Sequence, residues 1–243
     1  MLKFWKRLNE LYGWLLIAVF GLVMLIGLWQ VYDNYYMFNH TLDKSVLGYK
    51  PDPKNPGAAA DSPITNDMAG WLTIDGTNID YPVMQGKDNN YYLNTDPFGN
   101  YSLTGSIFLD SRSSPNFSDE YAVIYGHHMD YGKMFGALDD FLNESYLKQH
   151  SAGTLMVGRN AEEVYELECF ASMKVSAKEK IVFDMKQEQI RQFIHDNAAV
   201  LTNETDSRIL ALSTCADANS VTRVVVFCYI KDNEDYEGRE VSV

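Results

Sequence analysis

The chain has 243 residues, 46% of them hydrophobic, and a formal net charge of -13. That length suits one domain of ordinary size plus appendages, with enough apolar material for a real core. So acidic a chain repels phosphate backbones, which argues against nucleic-acid binding.

Residues 11–31 read LYGWLLIAVFGLVMLIGLWQV and contain no charge. About 20 apolar residues suffice to cross a bilayer. Trp14 and Trp29 lie near the two ends, where indole rings favour the membrane interface. Lys3, Lys6 and Arg7 precede the segment, Asp33 follows it, and the next basic residue is Lys44. The positive-inside rule then puts residues 1–10 in the cytosol and everything after residue 31 outside. The rival is a cleaved signal peptide, which has a shorter apolar core and a small-residue cleavage site. Leu28-Trp29-Gln30-Val31 offers no such site. Residues 11–31 are therefore read as an uncleaved, single-pass signal anchor in the cell membrane.

Residues 33–49 predict one or two short helices leading away from the membrane. Residues 50–63, KPDPKNPGAAADSP, are rich in Pro, Gly and Ala and read as a linker. Residues 32–63 thus form an extracellular arm, and the compact domain is expected to span residues 64–243. There the chain reads mostly as strands. Residues 71–74 and 79–84 flank a turn, Asp75-Gly76-Thr77-Asn78. Further strands are expected at 106–109, 121–125, 154–157, 163–173, 208–213 and 222–230, where Val, Ile, Tyr and Phe dominate. Helices are expected at 133–142 and 184–199. Seven or eight strands with few helices suggest a closed barrel or a sandwich.

Three cysteines occur: Cys169, Cys215 and Cys228. An odd count in an exported chain leaves at least one free thiol, unless pairing is intermolecular. Cys169 and Cys228 lie inside strand patterns and read as small buried hydrophobes. Cys215 ends an apolar strand in LALSTCAD, a rigid place from which to present a nucleophile. His127 ends another apolar strand, YAVIYGH, after a glycine expected to turn the chain sharply. His128 should point elsewhere. No Cys, Asp or Glu falls at ligand spacing beside this His-His pair, so no metal is expected. His40 and His195 are read as bland. Arg223 opens the strand after Cys215, and a short loop brings it back towards the cysteine. Its bland reading is a surface ion pair. A thiol, an imidazole and a guanidinium supply a nucleophile, a proton carrier and a charge stabiliser.

The sequence LSTC with Arg223 eight residues later, together with IYGH, resembles the sortase signature. The stretches YGHHMDYGKMFGALDDF and WLTIDGTNIDYPVMQGKDNNYYL, and the helix before the cysteine strand, resemble class B sortases. The resemblance covers residues 64–231. It implies an eight-stranded β-barrel with flanking helices behind one transmembrane helix. It also implies an enzyme, a cysteine transpeptidase. Such an enzyme cuts a C-terminal sorting signal of secreted proteins through a Cys thioester. It then joins them to an amine of peptidoglycan, or of its lipid-linked precursor. By motif position Cys215 is the nucleophile, His127 the acid/base and Arg223 the oxyanion or substrate-positioning group. Ser213, Leu93 and Asn89 match positions that line the signal-peptide groove. Asp217 is read only as a loop carboxylate capping nearby amides. No cofactor is implied. The alternatives are a thiol peptidase that only hydrolyses, a pilin-polymerising sortase, and a membrane-tethered binding domain with an inert barrel.

Overall fold

The computed structural model describes residues 2–40, 44–55, 61–129, 132–185, 187–215 and 221–232. The chain divides into two compact units, Met1–Asp43 and Lys44–Val243. The first is built on one helix, α1 (Leu2–His40), of 39 residues. Its stretch Leu2–Tyr32 is long and apolar enough to cross a membrane, and side chains such as Leu16 and Phe20 are exposed. At a rise of about 1.5 Å per residue the helix measures about 58 Å, against about 30 Å of hydrocarbon. The short helices expected after residue 33 are instead a continuation of α1. No Gly or Pro falls between Gly27 and Gly48, so nothing in the sequence breaks the helix.

The second unit begins earlier than residue 64. A 3-10 turn, Lys44–Tyr49, opens it, with Val46 buried. Lys50 Nζ then bonds Thr73 Oγ1 and Asp80 Oδ1, both at 2.8 Å. This part of the expected linker is therefore fastened to the barrel wall, while residues 56–60 lie outside the described residues.

Two antiparallel strands, β1 (Met68–Ile74) and β2 (Asp80–Met84), form the expected hairpin, and Gly76 takes its turn at φ 72°. β3 (Ile107–Leu109) runs parallel to β2 and antiparallel to β4 (Tyr121–His127). A 3-10 helix, Phe135–Leu142, leads into α2 (Glu144–Gln149), whose first amides are capped by the Asn143 side chain. β5 (Ala152–Val157) and β6 (Glu163–Ser176) follow. The expected helix at 184–199 is two helices, α3 (Lys180–Phe183) and α4 (Gln187–Asn197). Then come β7 (Val200–Leu201), β8 (Arg208–Cys215) and β9 (Thr222–Asp232).

The strand order is β5-β1-β2-β3-β4-β8-β9-β6, and β5 pairs back onto β6. Eight strands thus close a barrel, and β7 attaches beside β6. β4 and β8 pair in parallel, and their YAVIY and ILAL runs are buried throughout. Cover on both faces explains why these two segments are continuously apolar rather than alternating.

Two local expectations are corrected. Cys169 and Cys228 are not isolated hydrophobes: they face each other across β6 and β9 and form a disulfide. Gly126 does not turn the chain but stays in β4. A Cβ there would meet Phe135 Cδ2 at 2.7 Å, so the glycine is needed for close packing of the 3-10 helix.

Candidate active site

The barrel brings the three chemistry-bearing positions to one end of the neighbouring strands β4, β8 and β9. In the parallel β4–β8 ladder His127 is the partner of Cys215. In the antiparallel β8–β9 ladder pairing runs from Arg208 opposite Ile230 to Ser213 opposite Val225. Beyond that pair, the Arg223 side chain is tied to the carbonyl of Thr214, the residue before Cys215. Adjacent strands lie about 4.8 Å apart, so the three residues occupy neighbouring strand ends.

Here the β8–β9 ladder gives way to side-chain bonds. Thr214 Oγ1 accepts the Val224 amide at 3.1 Å, and Arg223 Nη1 donates to the Thr214 carbonyl at 2.9 Å. The Arg223 guanidinium carbon stands 5.5 Å from the Phe183 ring centroid. Its Nε is buried and has no hydrogen-bond partner among the described residues. The arginine is therefore held at two points, with its Nε–H among the donors not spent on Thr214.

The row below is formed by Phe108, Tyr125 and Ser213 on β3, β4 and β8. Tyr125 precedes His127 by two residues and so shares its face of the strand. Its hydroxyl donates to Asp110 Oδ2 at 3.0 Å. Asp110 is fully buried and also accepts from Arg112 Nε at 2.9 Å, Arg112 Nη2 at 2.7 Å and Asn89 Nδ2 at 2.9 Å. Burial pushes the Asp110 carboxyl upward, but bonding to Arg112 outweighs it and holds the group below the usual carboxylate range. Burial pushes the Tyr125 phenol well up, and the Asp110 charge adds to the shift.

Of the positions expected to line a groove, Asn89 is drawn into this network at both ends of its amide. Its Oδ1 accepts the Ser111 amide at 2.8 Å. Ser213 is fully buried, and its hydroxyl donates to the Thr214 carbonyl at 3.2 Å. Leu93 ends the 3-10 turn Tyr91–Leu93 and is half-buried, and the Asp110 network does not reach it. Asp217 lies outside the described residues.

Two other histidines are occupied elsewhere. His128 Nε2 pairs with Asp139 Oδ2 at 2.8 Å, and His195 Nδ1 pairs with Glu204 Oε1 at 2.9 Å. Among the described residues no cluster of His, Cys, Asp or Glu is arranged to hold a metal ion. Sequence reasoning missed Tyr125, Asp110, Arg112 and Phe183. Tyr125 carried a signal, since a polar-tipped residue two before His127 must share its face. The others are brought in only by tertiary packing.

Comparison with known proteins fits this geometry. The sortase-domain family model matches residues 72–231. The chain is 33% identical to sortase B of Staphylococcus aureus over 177 residues, covering 69% of this chain and 71% of that protein. It is 30% identical to sortase B of Listeria monocytogenes over 221 residues, covering 83% and 88%. Among solved structures it resembles Spy0129, a Streptococcus pyogenes class B sortase involved in pilus biogenesis. That match has a TM-score of 0.63 and 34% identity, and covers 70% of this chain and 94% of that one.

Proposed function

Because the chain belongs to the sortase family, in its class B, and is a cysteine transpeptidase, we propose that Cys215, His127 and Arg223 carry its reaction. The observation supporting this most is the shared strand end: His127 is the ladder partner of Cys215, and Arg223 bonds the carbonyl of the residue before the cysteine.

The chemistry runs in two halves. Cys215 Sγ attacks the scissile carbonyl carbon of a sorting signal, forming a C–S bond and pushing charge onto the oxygen. Arg223 meets that charge through a donor not already committed to Thr214, worth about 3 kcal/mol for one such group. The C–N bond breaks, and His127 gives its proton to the leaving amine. In the second half an acceptor amine attacks the thioester, His127 takes a proton from it, and the Cys215 thiolate departs. Unperturbed pKa values leave only about 1% of an isolated pair as thiolate and imidazolium. Arg223 favours the thiolate but disfavours the imidazolium, so its main work is at the oxyanion.

The cargo is a secreted protein with a C-terminal sorting signal, and the acceptor is an amine of peptidoglycan or of its lipid-linked precursor. Asn89 and Leu93, both half-buried, line the path of the signal peptide, and Ser213, fully buried, packs beneath it. α1 anchors the enzyme, with residues 1–10 cytoplasmic and the barrel outside. This orientation is supported by Lys3, Lys6 and Arg7 before the apolar segment and Asp33 after it. A second reading, polymerisation of pilus subunits, draws support from the likeness to the pilus-associated S. pyogenes enzyme. There the acceptor is an amine of another protein subunit.

The test incubates the full chain in detergent with a library of fluorogenic peptides bearing NPxT-like and PxTG-like motifs. Each is assayed with and without an oligoglycine or diaminopimelate-type amine. The expected product is amine-joined and vanishes in Cys215→Ala. Cleavage indifferent to the amine would instead assign a thiol peptidase. A Cys215 thiol that resists alkylation, with no turnover of any peptide, would leave an inert barrel.

A further inference from the structure

α3 is a four-residue helix beside the site, with Val182 bonded by Tyr121 and Phe183 against Tyr125 and Arg223. So short a helix has more free carbonyls than internal bonds, and something else must satisfy them. Two are taken by barrel side chains. Tyr121 Oη donates to the Val182 carbonyl at 3.1 Å, and Arg112 Nη2 donates to the Phe183 carbonyl. Tyr121, Tyr125 and His127 alternate along β4 and share one face. Tyr125 also touches α3, its ring 6.4 Å from that of Phe183. On its other side Phe183 lies under the Arg223 guanidinium. Tyr125 belongs to β4 and Arg223 to β9, with β8 between them. Phe183 therefore bridges over β8 near Ser213, against the arginine proposed to meet the oxyanion.

What fixes Phe183 there is the ion pair behind it. Arg112 spends its Nε and Nη2 on Asp110 and the same Nη2 on the Phe183 carbonyl. Its side chain is half exposed, while Asp110's is wholly buried. A buried charge pair is a poor way to gain stability compared with apolar packing. It is a good way to set one geometry, because a bidentate fork fixes both distance and plane. Asp110 also holds Tyr125 and Asn89, so one carboxylate ties together β4, the 89–90 turn and, through Arg112, α3.

We propose that Arg112, braced by Asp110, is a positioning residue for Arg223, acting through the Phe183 backbone and ring at the end of α3. The inference rests on the assignment of Arg223 to the reaction. Arg112 touches no reacting atom in this account. It sets the surface on which the Arg223 guanidinium stacks, and so the direction in which the free Arg223 donor points. Misplacing a donor by about 1 Å can cost as much as about 100-fold in rate.

The test is a double-mutant cycle on the full chain in detergent, using whichever NPxT-like or PxTG-like fluorogenic peptide the wild type cleaves. Single-turnover acylation is measured against peptide concentration for wild type, Arg112→Gln, Arg223→Ala and the double variant. Arg112→Gln is expected to slow the saturated acylation step about 10- to 100-fold, with little change in half-saturation. In the Arg223→Ala background the same change is expected to cost less than about 2-fold, because its effect runs through Arg223. Phe183→Leu leaves the ion pair whole but removes the ring, and should show the same dependence on Arg223. It carries the test if Arg112→Gln does not fold. Equal losses with and without Arg223, or a loss confined to half-saturation, would overturn the inference. A wild type that cleaves none of the peptides would overturn the proposed function first, and this inference with it.

Discussion

Replacing Arg223 with Ala removes a side chain that is held by Thr214 and Phe183 and still has donors to offer. Its Nη1 bond to the Thr214 carbonyl, 2.9 Å long, is worth about 0.5–1.5 kcal/mol of stability. For a unit of this size that lowers Tm by about 1–6 °C, so the variant stays folded at 25 °C. The catalytic loss is larger. One oxyanion donor is worth about 100- to 1,000-fold in rate, or about 2.7–4 kcal/mol. Arg223→Lys keeps the charge but lacks the planar fork. It cannot hold Thr214, stack on Phe183 and reach the oxyanion together, so an intermediate loss of about 10- to 100-fold is expected. The assay is single-turnover acylation by a fluorogenic sorting peptide at saturation, with circular dichroism confirming the fold. Acylation by folded Arg223→Ala within about 3-fold of wild type would refute the reasoning, since a transition-state donor cannot be dispensable.

Asp80 Oδ1 accepts from Trp71 Nε1 at 2.7 Å, Thr73 Oγ1 at 2.9 Å and Lys50 Nζ at 2.8 Å. Asp80→Ala strands the indole N–H of a fully buried Trp71, and a thermal melt should report a loss of about 1–3 kcal/mol. Asp110 has a depressed folded-state pKa, so its stabilising contribution is present above the unfolded value of about 3.9. It is lost as pH falls through the lower folded value, and Asp110→Asn should flatten the acid limb of urea-midpoint-versus-pH curves. Peptide mapping without reductant should return Cys169 and Cys228 in one linked peptide. Reducing that link, which spans 59 residues, should lower stability by up to about 4 kcal/mol, seen as a shift in urea midpoint.

Much of the barrel was legible because its strands are local patterns. The Asp75–Asn78 turn between two apolar runs, and the continuous YAVIY and ILAL segments, carry their conformation in a few adjacent residues. Pairing is not local. Nothing in residues 121–127 says that they run parallel to residues 208–215, yet that register makes His127 the neighbour of Cys215. The Cys169–Cys228 bond was hidden for the same reason, since it depends on which residues of β6 and β9 face each other. β7, two residues long, is too short to leave a periodic signal. Gly126 misled because glycine marks both turns and close approaches, and only the position of Phe135 tells which. In the site, His127, Cys215 and Arg223 stood out as polar residues at the ends of apolar strands. Asp110 and Arg112 did not, because an acid and a base two residues apart look like any solvated loop until burial is known.

The most direct test of the account is to trap the acyl-enzyme. The full chain in detergent is mixed with a sorting peptide it cleaves, quenched in acid, digested and examined by mass spectrometry. The account predicts that the peptide containing Cys215 carries the N-terminal half of the substrate as a thioester. It predicts that oligoglycine or a diaminopimelate-type amine discharges this adduct into a joined product, and that Cys215→Ala forms neither. Joined product made by Cys215→Ala, or substrate found bonded to any residue other than Cys215, would contradict it.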